Sequence, residues 1–336
     1  MAADDAVASI VEDVIKEAPK GKRRAEAALF SRLLFSAAVA EDLTPYSSSD
    51  LAQLAEESFN FISSRRPGRP KIRTSNPAGA FAQVTIVEIA NDDMPFLVDS
   101  VLGLLNERGY DIRLLLHPVI HVSRDGEGKL IRLEEKAAAA AHSIRESFMH
   151  IHLGRLGDSE REVLAAKLEQ ILNDVRTAVL DWRAMQERLK QAISDYQANP
   201  PPIPVEELSE SIAFLQWLLD NHFTFLGMRE YRFEGGVKRG QLTAVEGSGL
   251  GILRRAETQV LRRGGELVSI TPEIRAFLLQ PAALIITKSD VRANVHRRAA
   301  MDYIGVKLFN KEGELTGELR VVGLFTSTAY TRSPST

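Results

Sequence analysis

Cysteine is absent from the chain, which excludes disulfides, thiolate nucleophiles and cysteine-held zinc, and fits a reducing, cytoplasmic setting. No apolar run approaches the roughly 18 residues that a membrane span needs. The opening MAADDAVASIVEDVIKE is acidic, without the basic and apolar regions of a signal peptide. A formal charge of -3 gives no global pull toward nucleic acid or an anionic membrane. No Walker A sequence, nucleophile elbow or HExxH occurs, and no Ser–His–Asp set has supporting spacing. The pattern therefore offers no catalytic residue, no metal site and no cofactor site. GSGLG (247–251) is glycine-rich, but it feeds Ile252-Leu253 where a dinucleotide fingerprint would open a long helix, so it reads as a flexible loop.

What is present is a soluble-protein composition, 44% apolar over 336 residues, enough for two or three domains. The organising stretch is 81–122. Phe81 to Ala90 is β-branched and apolar, as a buried strand should be. Asn91-Asp92-Asp93 supplies N-cap candidates, and Pro95 suits the first turn of a helix. Met94, Leu97/Val98, Val101 and Leu105 recur at three and four, and Gly109 ends the helix. Ile112, Leu114 and Leu116 then alternate along a second strand. Strand–helix–strand of this length implies a crossover between parallel strands, half of a ferredoxin-like βαββαβ unit with helices on one side of a sheet.

Around this stretch, residues 4–42 read as helices, and Ser49 or Asp50 can cap another that runs to Ile62. RRPGRPKIR (65–73) reads as a solvated basic linker, with a phosphate-contacting arm as the sharper alternative. Lys129–Leu133 and Phe148–Leu153 read as strands, with His150 and His152 on an exposed sheet face or subunit contact. Two histidines at i, i+2 lack a third metal ligand. Ser159–Tyr196 is helical, with a heptad seam from Leu164 to Tyr196 that wants a partner; it either projects or breaks near Asp181, a possible N-cap. QANPPPIP (197–204) is the clearest linker. Beyond it come a helix from Val205, strands at Phe223–Phe233, Leu242–Val245, Leu284–Thr287, Tyr303–Phe309 and Leu319–Phe325, and a short helix opened by Thr271-Pro272. His296-Arg297-Arg298 precedes a strand and could meet an anion or make an interdomain contact.

NDDMPFLVDSVLGLLNERG with the HPVI after it, ESFMHIHL, FLQWLLDNHFTFLGMREY, GLGILR, VHRRAAMDYIGVKLF and GLFTSTAYT resemble, in order, the first ACT-type module and the adjoining C-terminal region in the large-subunit class of bacterial NAD-specific glutamate dehydrogenases. The resemblance implies an α+β chain. An N-terminal helical segment (1–75) precedes an ACT-like βαββαβ module with a long C-terminal helix (76–196), and a PAS- or GAF-like, mainly antiparallel module (205–331) comes last; a second ACT-like module is the alternative for that part. It implies oxidative deamination of L-glutamate to 2-oxoglutarate with NAD for the parent protein, with the catalytic and NAD-binding domains downstream. This chain would then be a regulatory and assembly fragment, non-catalytic and without a cofactor of its own, in a homo-oligomer. In ACT modules generally, an amino-acid effector binds near the first strand–helix loop, here Asn91, Asp92, Asp93 and Met94. A stand-alone sensor of small molecules is the rival reading. An RNA-binding βαββαβ protein is a weaker one, because Leu130-Ile131-Arg132-Leu133 has no aromatic side chain to stack on bases.

Overall fold

The computed structural model describes residues 2–17, 23–36, 38–135, 143–234, 241–255, 258, 260–263, 266–268, 276–278 and 280–327. Two compact units form, Met1–Leu97 with Leu104–Asn173, and Val98–Gly103 with Asp174–Thr336. The expected loop or turn at 137–142 and the helix start at Thr271-Pro272 lie outside the described residues.

Four helices open the first unit: α1 (Ala2–Glu17), α2 (Arg24–Phe35), α3 (Ala40–Leu43) and α4 (Ser48–Ile62). Ser47, one residue before the helix, caps α4. Its Oγ accepts from the Asp50 N–H at 3.1 Å, and the Asp50 carboxylate accepts from the Ser47 N–H at 3.2 Å. Asp50 is thus the N3 partner of a capping box, not the cap.

The sheet is built from β1 (Lys71–Ser75), β2 (Val84–Asp92), β3 (Ile112–Leu116), β4 (Val119–Arg124), β5 (Leu130–Glu134) and β6 (Ile144–Gly154), with α5 (Leu97–Glu107) between β2 and β3. Its order is β1-β2-β6-β4-β5, with β3 also on β6, and every pairing is antiparallel. The strands before and after α5 therefore run parallel to each other but are separated by β6, the split βαβ of a ferredoxin-like sheet. The outer place beside β2 is taken by β1, from within the supposed basic linker. After β6 the chain enters α6 (Asp158–Leu180).

Helices do not cover one side only. Val84, Ile86 and Ala90 of β2, Leu114 and Leu116 of β3, and Phe148 of β6 share a core with Phe30, Leu34, Leu51, Phe59 and Ile62 of the N-terminal helices. The alternate residues Val87, Ile89, Met149, Ile151 and Leu153 face the other way and are also buried, because successive strand side chains point to opposite faces. His150 and His152 lie on the face that the N-terminal helices cover. They are fully buried, which corrects their assignment to an exposed face.

The second unit takes α7 (Trp182–Ala198), α8 (Val205–Trp217), β7 (Phe223–Glu234), β8 (Gln241–Ala244), β9 (Leu250–Gly251), β10 (Leu261–Arg263), β11 (Glu266–Val268), β12 (Leu284–Arg292), β13 (Ala300–Phe309) and β14 (Leu315–Phe325). Its main sheet runs β12-β13-β14-β7-β8, with β9 also on β7, all antiparallel. Met185, Leu189, Ala192 and Tyr196 of α7, with Leu208 and Leu215 of α8, share a core with Phe225, Met228, Ile304, Val306, Leu319 and Val321. This half of the heptad seam is thus filled within the chain, and it needs no second copy. Of the two expected courses, projection or a break near Asp181, the helix takes the break, but Asp181 makes no side-chain cap. Its carboxylate accepts instead from the Gly251 N–H at 2.7 Å and Arg254 Nε at 2.5 Å.

Candidate functional site

The expected effector loop is two different environments. Asn91 and Asp92 still belong to β2, and Asn91 is fully buried. Helix α5 starts only at Leu97, with Phe96 at its N-cap in the left-handed region, φ 71°. Neither aspartate caps it, because each carboxylate is taken up elsewhere. Asp92 accepts from Arg65 Nη2 at 2.6 Å and from the Gly68 N–H at 3.0 Å. Asp93 pairs with Arg145 Nη2 at 2.7 Å. Pro95 and Phe96 form the turn into the helix, and the backbone conformation of Phe96 is the one that favours glycine.

Arg65 is the residue that most changes the reading of the basic stretch. Its side chain is 1% exposed and bridges Asp92 to Glu146 at 2.7 Å. Arg124 clamps the same Glu146 through Nε at 2.6 Å and Nη2 at 2.7 Å, and it also donates to the Ile62 carbonyl at 3.0 Å. Lys71 Nζ donates to the Phe61 and Ser64 carbonyls at 2.6 and 2.8 Å, so cations close the C-terminus of α4, where the helix dipole favours them. These side chains tie the N-terminal helix to the sheet. They are neither a solvated linker nor an arm held out for phosphate.

A second polar cluster is sealed between α4 and the sheet. Glu88 accepts from Ser58 Oγ at 2.8 Å and from Arg73. His150 Nδ1 is 3.3 Å from Ser58 Oγ and 3.6 Å from Glu88, and His150 Nε2 is 3.0 Å from His152 Nε2. Burial, reinforced by His150 beside it, pushes the His152 imidazole down to about 3, so it is neutral. Burial raises the Glu88 carboxyl, but His150, Arg73 and Ser58 more than offset this and hold it below its ordinary value. Arg73 also borders an open cleft of about 410 Å³ lined by Asp50, Gln53, Glu57 and Phe81. Among the described residues no group of three or more His, Cys, Asp or Glu could hold a metal ion.

The His296-Arg297-Arg298 triplet does not converge on a common point. His296 Nδ1 lies 3.1 Å from Asp99 and its N–H donates to Ser100 Oγ at 2.9 Å, both within the second unit. Arg297 donates to the Phe325 carbonyl at 2.6 Å, and Arg298 to the Ala293 carbonyl at 3.1 Å and to Asn294. These bonds go to different acceptors of the second unit, so the three side chains make separate contacts there.

The residues that sequence patterning missed are on the second sheet. Arg229, Tyr231, Tyr303, Glu318 and Arg320 are all buried. Arg320 Nε donates to the Tyr303 hydroxyl at 3.2 Å, its guanidinium lies 4.1 Å from the Tyr231 ring centre, and the Tyr303 hydroxyl donates to Glu318. Burial pushes the Tyr303 hydroxyl well above its ordinary value. The available signal was the sequence GELRVVG (317–323). Its polar residues alternate with apolar ones as on a solvated face, while its flanking glycines permit the close strand approach of a covered one.

The glycine-rich loop does not fit NAD. The Gly251 N–H is already donated to Asp181, and the chain passes into a single turn at Ile252–Arg254. A carboxylate at that point opposes a pyrophosphate, and no long helix comes next to present free N–H groups.

Residues 30–168 match the family model for the glutamate dehydrogenase ACT1 domain. The split sheet of the first unit and this match together define an ACT-type module. The chain is similar to the NAD-specific glutamate dehydrogenase of Halomonas elongata, 33% identical over 318 residues, which is 93% of this chain and 20% of that protein. For the NAD-specific glutamate dehydrogenase of Pseudomonas aeruginosa the figures are 32% over 312 residues, 91% and 19%. For that of Mycobacterium tuberculosis they are 29% over 190 residues, 54% and 11%. The chain is thus similar to one part of the NAD-specific glutamate dehydrogenases. It spans about a fifth of the length of the first two relatives.

Proposed function

We propose that the chain is a non-catalytic regulatory and assembly segment of an NAD-specific glutamate dehydrogenase, whose catalytic and NAD-binding parts lie downstream in the parent chain. The observation that carries this reading is similarity along 93% of the chain to 20% of a relative, with an ACT1 match inside it. The poor fit of the 247–251 loop to a dinucleotide supports it. Incubated with L-glutamate and NAD, the purified chain should form no NADH. Turnover above an enzyme-free control would refute the reading.

Three parts are proposed: the N-terminal helical segment (1–75), the ACT-like module (76–196) and a PAS- or GAF-like module (205–331). Because α7 packs in the second core, it is best grouped with the third part. The order β8-β7-β14-β13-β12 supports the PAS-like reading, because it places the first and last strands of the unit side by side at the centre, as that class of sheet does. Self-association in a cytoplasmic enzyme is the remaining part of the reading. Its support is β12, which has β13 as its one sheet neighbour among the described residues and leaves Ile286 49% exposed; the backbone of an edge strand is a template for a second strand. Light scattering across a concentration series tests it, and a monomer throughout would remove it.

For an amino-acid effector at Asn91–Met94, Asp93 is the residue with an exchangeable partner. The Arg145 side chain is 63% exposed, so a ligand ammonium group can replace it, whereas Asp92 is held by a buried arginine. Asp93→Asn should weaken binding of any amino acid that shifts the melting temperature. Asp92→Asn should chiefly lower stability. Equal affinity in Asp93→Asn would place the effector elsewhere.

A further inference from the structure

One face of the second sheet buries more positive than negative charge. Arg229 of β7 stands directly opposite Arg320 of β14 in the antiparallel register, with Tyr231 opposite Glu318 two residues along. Residues so placed share a face and lie side by side. Arg229 is 3% exposed and Arg320 is 0% exposed. Glu318 is the buried carboxylate of this group. Tyr303 donates to it, and Arg320 Nη2 lies 3.6 Å away, so its charge is balanced by Arg320. Arg229 has no such counterpart: its Nε and Nη1 are buried without a hydrogen-bond acceptor among the described residues.

An unpaired buried guanidinium is strongly unfavourable, and a second one directly across the ladder adds repulsion. Arginine also cannot escape the cost by losing its proton. An anion beside Arg229 removes both penalties at once. The backbone of the turn at 247–249 comes close to the guanidinium. A Cβ at Gly249 would fall 2.4 Å from the Leu253 carbonyl oxygen, so only glycine can stand there, and its backbone lies close to the Arg229 guanidinium, where the same Cβ would be 2.5 Å from Nη2. Gly247, with φ +74°, turns the loop into this approach, and Ser248 Oγ fixes it by donating to the Val245 carbonyl at 2.7 Å.

We propose that Arg229, with Arg320 beside it, forms a binding site for a small oxyanion, carboxylate or phosphate, against β7, β14 and the turn at 247–249, away from the Gly251 N–H that Asp181 holds. Guanidinium donors suit both chemistries, because planar oxyanion edges and phosphate oxygens accept short charge-assisted hydrogen bonds. Tyr303 and Tyr231 supply the walls. The inference stands apart from the regulatory reading, since it needs only the second unit.

The test is a melting series of the full chain, followed by tryptophan fluorescence, with inorganic phosphate, succinate or acetate against potassium chloride at equal ionic strength. Trp182 and Trp217 both belong to the second unit, so the signal reports the unit that holds the site. At about 100 times its dissociation constant, a bound probe should raise the transition by about 5 °C or more, and the arm that does so separates phosphate from carboxylate. Arg229→Met should abolish the shift while melting, without anion, no lower than wild type. Arg229→Lys, which keeps the charge and loses the planar fork, should weaken binding about ten-fold. Arg132→Met, at a side chain 70% exposed, should keep the full shift. No shift beyond chloride in the wild-type chain overturns the proposal, as does an unchanged shift in Arg229→Met. Failure of both Arg229 variants to fold also overturns it, since the arginine would then be a structural group.

Discussion

Lowering the pH from 7 to 5 should loosen the first unit through one buried side chain, His152. Its imidazole is fully buried, lies 5.6 Å from the Phe81 ring and 6.2 Å from the Tyr46 ring, and is pushed down to about 3 by burial and by His150. In the unfolded chain it returns to about 6.5. Between those two values the unfolded state binds a proton that the folded state refuses, so stability falls as pH falls. From pH 7 to pH 5 the linkage amounts to about 2 kcal/mol, a large share of a typical domain's stability. Glu88 acts in the same direction only lower down. Its carboxyl is held below the ordinary value, so its contribution is present above about 4.5 and is lost beneath that. His117 is also lowered by burial and adds to the slope, so a variant is needed to isolate His152.

The variant is His152→Gln, which keeps a hydrogen-bonding group toward His150 Nε2 and cannot titrate. Urea unfolding at pH 7, 6 and 5 would be followed by far-ultraviolet circular dichroism and by tryptophan fluorescence in parallel. Both tryptophans belong to the second unit, so a dichroism transition that fluorescence does not share reports the first. The wild-type chain should lose about 2 kcal/mol more than the variant over this range. A variant that loses stability as steeply as wild type would refute the assignment. His152 would then be protonated in the folded state, with its unpartnered Nδ1 reaching an acceptor.

Glu146→Gln leaves Arg65 and Arg124 buried without their shared carboxylate, and should cost the first unit about 3–5 kcal/mol by urea unfolding. Asp181→Asn removes charge-assisted bonds to Arg254 and the Gly251 N–H, and should cost the second unit about 1.5–3 kcal/mol in fluorescence-detected unfolding. Lys307 is pushed down to about 8, chiefly by burial. Its unfolded form keeps a proton to about 10.4, so the second unit should gain about 1 kcal/mol between pH 7 and pH 9, a gain that Lys307→Met should abolish. Gly251→Ala places a Cβ 2.1 Å from the Leu226 carbonyl oxygen at φ +59°, and should destabilise the fluorescence-detected transition by more than about 2 kcal/mol.

Local pattern carried the elements and failed on their partners. Helix α5, a possible break at Asp181 and the strands β7, β8, β12, β13 and β14 of the second unit follow from periodicity, glycine and proline, which act within a few residues. The start of α5 slipped from Met94 to Leu97 because Asp92 and Asp93, good caps in isolation, are drawn to Arg65 and Arg145. No local rule reports that competition. The same blindness made RRPGRPKIR a linker. Arg65, Lys71 and Arg73 look solvated until Glu146, the end of α4 and Glu88 are brought to them.

Alternation along a strand divides residues between two faces but does not say which face is covered. For β6 the apolar set was assigned inside and the histidines outside, yet α4 and its neighbours bury the second face as well. For β14 the strand was legible but its covered polar face was not: Glu318 and Arg320 are both fully buried. A polar set buried this way must have its charges matched by neighbours. In the first sheet the matching is complete at Glu146, which two arginines share. In the second, Glu318 has the Tyr303 hydroxyl and Arg320 beside it, while Arg229 has no acceptor for Nε or Nη1 among the described residues. That difference separates a cluster that holds a fold together from one that has an interaction still to make, and it becomes visible only when partners distant in sequence can be counted.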